Sequence, residues 1–291
     1  MNKKTAYLRL IRPHQYIKNG FIWLPVFFAP QLSNFKAVAL SGYAFATFCL
    51  LASAVYVIND LRDAPDDRHH PVKKHRPLAA GTISRWQAMV LVGVLLGLSF
   101  GLALLLLPSL AVVVMGAYLL LNLIYTYALK HIPIVDIVCI ALGFVLRILD
   151  GGVSCAIRIS PWIVIMTFLM ALFLALAKRK DDLLLADQGH QIRKAMDGYN
   201  AEFISLAMGI MASVIIVAYI LYTVSPEIVA KHGTHKLYIT AIWVILGLLR
   251  YLQITFVEEK SGSPTRVLLG DHLLQGIIVL WLAHMYLLLY A

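Results

Sequence analysis

Charge is scarce in this chain of 291 residues: 14% are Asp, Glu, Lys or Arg, against 60% hydrophobic. Soluble domains carry about a quarter charged residues, so a water-bathed globular fold is excluded. Ala37 to Ile58 gives 22 residues without a charge, and Trp86 to Leu129 gives 44. About 20 apolar residues in helix cross the roughly 30 Å hydrocarbon layer, so these runs predict membrane spans. The ten-residue alternation of lipid-facing strands is missing too, which excludes a barrel. Cysteine is rare: Cys49, Cys139 and Cys155 lie in or at the end of apolar stretches, without the close pairing of a metal knuckle, and read as packing residues. The ten histidines show no HExxH or other ligand spacing, which argues against catalytic zinc. No cleavable leader is expected, because Lys3, Lys4, Arg9, Arg12 and Lys18 interrupt the first 19 residues before any apolar core forms.

Apolar windows and breakers predict nine spans, near Tyr16 to Leu32, Ala37 to Ile58, Trp86 to Leu107, Leu110 to Leu129, Ile134 to Leu149, Ile159 to Ala177, Phe203 to Val224, Leu237 to Val257 and Leu273 to Tyr290. The 44-residue run divides at Pro108 and Ser109, since undivided it would make a helix of about 66 Å. The first span is short and broken by Pro25 and Pro30. The expected fold is therefore all-α: a polytopic membrane protein, one transmembrane domain over residues 1–291, with no linker and no low-complexity segment.

Lys and Arg concentrate on the cytoplasmic side of short loops. With nine spans and a cytoplasmic N-terminus, 20 of the 25 basic residues fall on one side; without the first span the split drops to 15 against 10. Nine spans are favoured, which puts the C-terminus on the opposite side. The net charge of +10 follows from these loops and from attraction to anionic lipid, so it is no argument for nucleic acid, and no basic arm or soluble basic domain is present to bind one.

Only 15 residues are acidic, yet Asp60, Asp63, Asp66 and Asp67 fall within eight positions just after an apolar helix. On a continuing helix Asn59, Asp60 and Asp63 share a face by i,i+3 and i,i+4 spacing. Pro65 predicts that the helix stops near Asp63, leaving Asp67 to reach the same point from a turn. Like charges so close are stabilised by a divalent cation, and hard oxygen ligands completed by substrate phosphate suit Mg2+. The basic run HHPVKKHRP, His69 to Pro77, follows at once, so carboxylates can hold an ion while Lys73 and Arg76 hold the phosphate oxygens beyond its reach. A plain solvated loop, its acids paired with Arg62, Arg68, Lys73, Lys74 and Arg76, is the simpler alternative.

A second stretch on the same side, KRKDDLLLADQGHQIRK from Lys178 to Lys194, repeats the chemistry. Asp181, Asp182 and Asp187 are candidates for a second ion or the far end of a substrate, and Lys178, Arg179 and Lys180 for phosphate contacts; the basic triplet is also an ordinary topogenic anchor. Polar residues inside spans are costly and point to function by default. Lys130 and Asp136 bracket a tight turn after Tyr125 and Tyr127, which also suit a membrane interface. Arg147 and Asp150, one helical turn apart, are expected to pair with each other.

NDLRDAPDD, Asn59 to Asp67, matches NDxxDxxxD, with RPLAAG following from Arg76 to Gly81. This resembles the UbiA superfamily of intramembrane prenyltransferases, in which one aspartate-rich loop follows span two and another span six. RPHQYIKN at Arg12 to Asn19, KHIPIVDI at Lys130 to Ile137, GFVLRILDGG at Gly143 to Gly152 and LAKRKDD at Leu176 to Asp182 look like its decaprenyl-phosphate phosphoribosyltransferase branch. The second loop departs from the DxxxD of aromatic prenyltransferases: Leu185 follows four residues after Asp181, and Ala186 four after Asp182.

The resemblance implies a membrane-embedded transferase of a bacterial-type inner membrane. It would move a 5-phosphoribosyl group from phosphoribosyl diphosphate to a polyprenyl phosphate, with Mg2+ on Asp60, Asp63 and Asp67. Asn59 would orient the site, and Arg12, Lys18, Asn19, Lys73, Arg76, Tyr125, Lys130, Lys178, Arg179, Asp181 and Asp182 would contact the substrates. Assembly with further copies of the chain is left open. The competing reading is transfer of a polyprenyl group from its diphosphate to an aromatic acceptor. A transporter is disfavoured, since no inverted repeat is visible and the acids lie at one interface.

Overall fold

The computed structural model describes residues 3–69, 73–187, 198–261 and 263–290. Among them every regular element is helical, and eight helices are long and apolar enough to cross a membrane. The chain groups into two compact units, Met1–Ile159 and Ser160–Ala291.

The first unit contains α1 (Lys3–Ile11), α2 (Leu24–Phe28), α3 (Phe35–Asp67), α4 (Arg85–Leu106), α5 (Ser109–Tyr127) and α6 (Val135–Ser154). The segment expected as a first span is instead a 3-10 helix, Pro13–Trp23, running into the five-residue α2. Pro25 and Pro30 prevent one long α-helix here. A 3-10 helix rises about 2.0 Å per residue against 1.5 Å for an α-helix, so the segment is longer than its residue count suggests. The break at Pro108 falls where expected, with Leu107 extended and Pro108 preceding α5.

Asn34 starts α3, its side chain accepting hydrogen bonds from the Lys36 and Ala37 amides. The helix then runs 33 residues, about 50 Å, well beyond the hydrocarbon thickness. It does not stop at Asp63. Pro65 lies in its last turn, where a missing N–H forfeits little, so the helix carries Asp67 as well. α4 packs alongside through small residues: Ala54, Val57 and Ala88 lie in one buried cluster, and the Ser99 hydroxyl donates to the Thr47 carbonyl at 2.8 Å. Small side chains let two membrane helices approach closely, so α3 is firmly held.

α6 brings a polar face into the core. Arg147 is buried, its Nε donating to Asn19 Oδ1 at 2.8 Å, Nη1 to the Gly143 carbonyl at 2.7 Å and Nη2 to the Tyr118 hydroxyl at 3.0 Å. The rings of Phe48, Tyr118 and Phe144 surround its guanidinium within 5.3 Å. The expected pairing with Asp150 does not form, because the Arg147 side chain runs back toward the helix N-terminus, as helical side chains do. Asp150 is fully buried, and its carboxylate oxygens have no hydrogen-bond partner among the described residues.

At the next residue, a Cβ on Gly151 would collide with the Ile22 carbonyl oxygen, so the 3-10 segment rests backbone to backbone on α6. Gly151→Ala must push that segment away. Overpacking of this kind costs about 1–3 kcal/mol. The variant is expected to unfold at lower temperature in detergent, and an unchanged melting curve would contradict the contact.

The second unit contains α7 (Pro161–Asp187), α8 (Ala201–Val224), α9 (Pro226–His232), α10 (Ala241–Phe256), α11 (Pro264–Gly270) and α12 (His272–Tyr290). Tyr219 links three of its elements: its hydroxyl lies 2.6 Å from that of Thr240 and accepts from Trp281 Nε1 at 2.9 Å. Arg250 joins α10 to the α11–α12 corner through Asp271 at 2.5 Å and also pairs with Glu258 at 2.7 Å. Those hydrogen bonds from Arg250 hold the Asp271 carboxyl below its usual range.

Candidate active site

Because α3 continues to its end as one helix, Asp60, Asp63 and Asp67 form a single stripe at i, i+3 and i+7, while Asp66 points outward. Asp60 and Asp67 are buried. Burying carboxylates requires partners, and three cations supply them. Arg12 Nη2 lies 2.5 Å from Asp60 Oδ1. Arg76 Nη1 lies 3.1 Å from that same oxygen and 2.7 Å from Asp67 Oδ2. Lys130 Nζ lies 2.5 Å from Asp63 Oδ1.

Each cation is delivered by a short, constrained segment. Arg12 sits between α1 and the 3-10 helix in a left-handed conformation, φ 52, costly for a residue with a side chain. It lies 5.3 Å over the Tyr56 ring, and beside it the Ser53 hydroxyl donates to the Ile11 carbonyl at 2.9 Å and meets Tyr16 at 2.8 Å. Arg76 follows a single 3-10 turn, Lys73–His75, and the chain turns back at Gly81, whose φ of 72 suits glycine. Lys130 is buried in the 3-10 turn Leu129–His131 that joins α5 to α6. Asn59 accepts a hydrogen bond from Thr126 on α5.

Most of the expected first-loop set is thus brought together: Arg12, Asn59, Asp60, Asp63, Asp67, Arg76 and Lys130. Lys18, Lys73 and Tyr125 are half-buried on the segments that frame it. Asn19 is placed elsewhere. Its amide donates to Cys49 Sγ at 3.2 Å and accepts from Arg147, at a level of α3 about 16 Å before Asp60. Asn19 is buried there as a link between helices. Tyr56 and Thr126 escaped the sequence reading. Tyr56 could have been found, being one turn before Asp60; Thr126 carries no signal apart from its place at a helix end.

In the second unit the basic triplet is divided. Arg179 is fully buried and pairs with Asp182 at 2.6 Å. Lys180 turns away from its acidic neighbours: its ammonium donates to the Thr255 carbonyl at 2.9 Å and lies 4.2 Å over the Phe256 ring, joining α7 to α10. Lys178, Asp181 and Asp182 are half-buried. The Asp187 side chain and residues 188–194 lie outside the described residues, as do residues 70–72 of the first basic run.

Among the described residues no three carboxylate, imidazole or thiol groups converge into a closed metal cage. That suits magnesium, an ion commonly held by one or two carboxylates while waters and substrate phosphates fill the remaining positions. One guanidinium nitrogen rests between an Asp60 and an Asp67 oxygen, so these two carboxylates face a common cation.

A helical bundle with these aspartates at the end of its second long apolar segment defines a class. Residues 21–269 match the UbiA prenyltransferase family, and the chain belongs to that family. It is 31% identical over 287 residues to the decaprenyl-phosphate phosphoribosyltransferase of Corynebacterium glutamicum, covering 96% of this chain and 85% of that one. The enzyme of that name from Mycolicibacterium smegmatis is also 31% identical, over 97% of this chain and 91% of its own. Among solved structures, a UbiA homolog from Archaeoglobus fulgidus bound to GPP and Mg2+ shares the fold with a TM-score of 0.70 at 19% identity, covering 98% of this chain and all of the other.

Proposed function

We propose that this protein is a membrane-embedded, magnesium-dependent transferase that moves the 5-phosphoribosyl group of phosphoribosyl diphosphate onto a polyprenyl phosphate and releases diphosphate. The observation that carries the reading is its likeness to decaprenyl-phosphate phosphoribosyltransferases over nearly the whole chain. The geometry supports it, since three carboxylates and three cations at one helix end suit two anionic substrates and an ion.

The bond from ribose C1 to the diphosphate oxygen breaks, leaving an oxocarbenium-like carbon that an oxygen of the lipid phosphate attacks. That oxygen is an anion at neutral pH, so no general base is needed. Arg12, Arg76 and Lys130, with Lys18 and Lys73, provide donors that bring the two anions together despite their repulsion. Asn59, steadied by Thr126, fixes the mouth of the site. Magnesium held by Asp60, Asp63 and Asp67 would neutralise charge on the departing diphosphate. The distribution of Lys and Arg supports a cytoplasmic N-terminus and a cytoplasmic site, with the Pro13–Phe28 segment crossing the membrane once.

Prenyl transfer to an aromatic acceptor is the second reading, favoured by the shared fold with a GPP-bound homolog. Leu185 and Ala186, standing where DxxxD would place its second aspartate, weigh against it. Purified protein given phosphoribosyl diphosphate labelled in the ribose, a polyprenyl phosphate and magnesium should yield a labelled lipid. Product formed only from a prenyl diphosphate and an aromatic acceptor would reverse the assignment.

A further inference from the structure

Each carboxylate on the α3 stripe already carries a protein cation, and Arg76 holds the central place. Its Nη1 touches Asp60 Oδ1 at 3.1 Å and Asp67 Oδ2 at 2.7 Å. Magnesium binds oxygen at about 2.0–2.1 Å. An ion bridging these two oxygens and the guanidinium nitrogen would occupy the same space with the same sign of charge. One must leave.

The carboxylates cannot readily move, because they project from a continuous helix packed on α4. Arg76 can: its side chain is 29% exposed, against 3% for Asp60, and it springs from a short turn beside Gly81. We propose that Arg76 is a resident cation which the metal must evict, and that the evicted guanidinium is taken up by the diphosphate oxygens, so that metal and diphosphate load as one unit. The guanidinium's planar fork suits phosphate as well as carboxylate, so its transfer from one anion to the other loses little. This deepens the magnesium and diphosphate reading above and rests on it.

The signs of the expected effects are unusual. A residue that merely assists catalysis weakens everything when removed, but a resident cation opposes metal binding on its own and favours diphosphate binding afterwards. The test uses full-length protein in detergent. Mn2+ binding alone is followed by the loss of the free-ion electron paramagnetic resonance signal. Binding of labelled inorganic diphosphate at saturating Mn2+ is measured by equilibrium dialysis.

Arg76→Gln should bind Mn2+ alone about tenfold more tightly and diphosphate about tenfold more weakly than the parent, within the usual range of site-to-site coupling. Arg62→Gln removes an exposed charge from the same helix and should shift both by less than about twofold. Unchanged or weaker Mn2+ binding by Arg76→Gln overturns the proposal. Equal tightening in both variants overturns it too, by showing that net charge alone is at work. If Arg76→Gln does not fold, Arg76→Met, which keeps the volume of the stem, decides by the same signs, and unchanged Mn2+ affinity there is equally fatal. Neither readout involves sugar or lipid. Reversed signs without phosphoribosyl transfer would show that only the donor is misassigned.

Discussion

Asp67→Ala is expected to lower phosphoribosyl transfer roughly a thousandfold or more, and Asp63→Ala likewise, while both proteins still insert and fold. The size follows from losing an ion's charge stabilisation at the bond that breaks, where even a single well-placed donor contributes about 10²–10³-fold. The folding expectation comes from the partners left behind. Without Asp67, Arg76 keeps Asp60 at 3.1 Å and is exposed enough to hydrate. Without Asp63, the buried Lys130 ammonium loses its carboxylate, so that protein is expected to be less stable while still folded. The measurement is initial rate with labelled donor, beside helix content by circular dichroism and elution in detergent. Turnover retained near the parent rate would end the metal assignment.

Arg147→Ala destabilises the first unit by about 3 kcal/mol or more, combining a large cavity with hydrogen-bond groups on Asn19 and Tyr118 left short of partners. Arg147→Met fills most of the volume and isolates the polar loss, about 1–3 kcal/mol. Arg147→Met is also expected to slow transfer by about a hundredfold, since Asn19 lies on the segment that begins at Arg12, and small displacements of catalytic groups are that costly. Thermal unfolding and initial rates separate the two effects. An Arg147→Met protein with parental stability and rate would mean that the guanidinium neither supports the core nor fixes the Arg12 segment.

Arg147 also marks where the sequence stops being legible. Its spacing to Asp150 suggested a pair, but i,i+3 spacing says only that two side chains start on one face. The direction a helix imposes on them, and the pull of Phe48 and Tyr118 from other helices with Phe144 from the same one, decide where the guanidinium ends. Asn19, named for the site through the resemblance, lies in a 3-10 helix that turns its side chain toward Cys49 and Arg147, which spacing alone does not state. The acidic stripe was legible because four aspartates after an apolar run have few other uses. Pro65 hid its continuity, since a proline's effect depends on how much helix follows, which sequence alone does not state. Lys180 looked like its neighbours and behaves differently, held by a carbonyl at the end of another helix. Eight long spans were visible in composition; the expected ninth, blurred by Pro25 and Pro30, is a 3-10 segment running into a short helix.

Because α3 is unbroken through Asp67, its acidic groups have no independent freedom. They form a fixed anvil, set at a height above the apolar slab that helix length dictates. Adjustment to incoming ligands therefore falls on the basic side chains around them, which arrive from three separate turns and can be retuned one at a time without disturbing the ion-holding row.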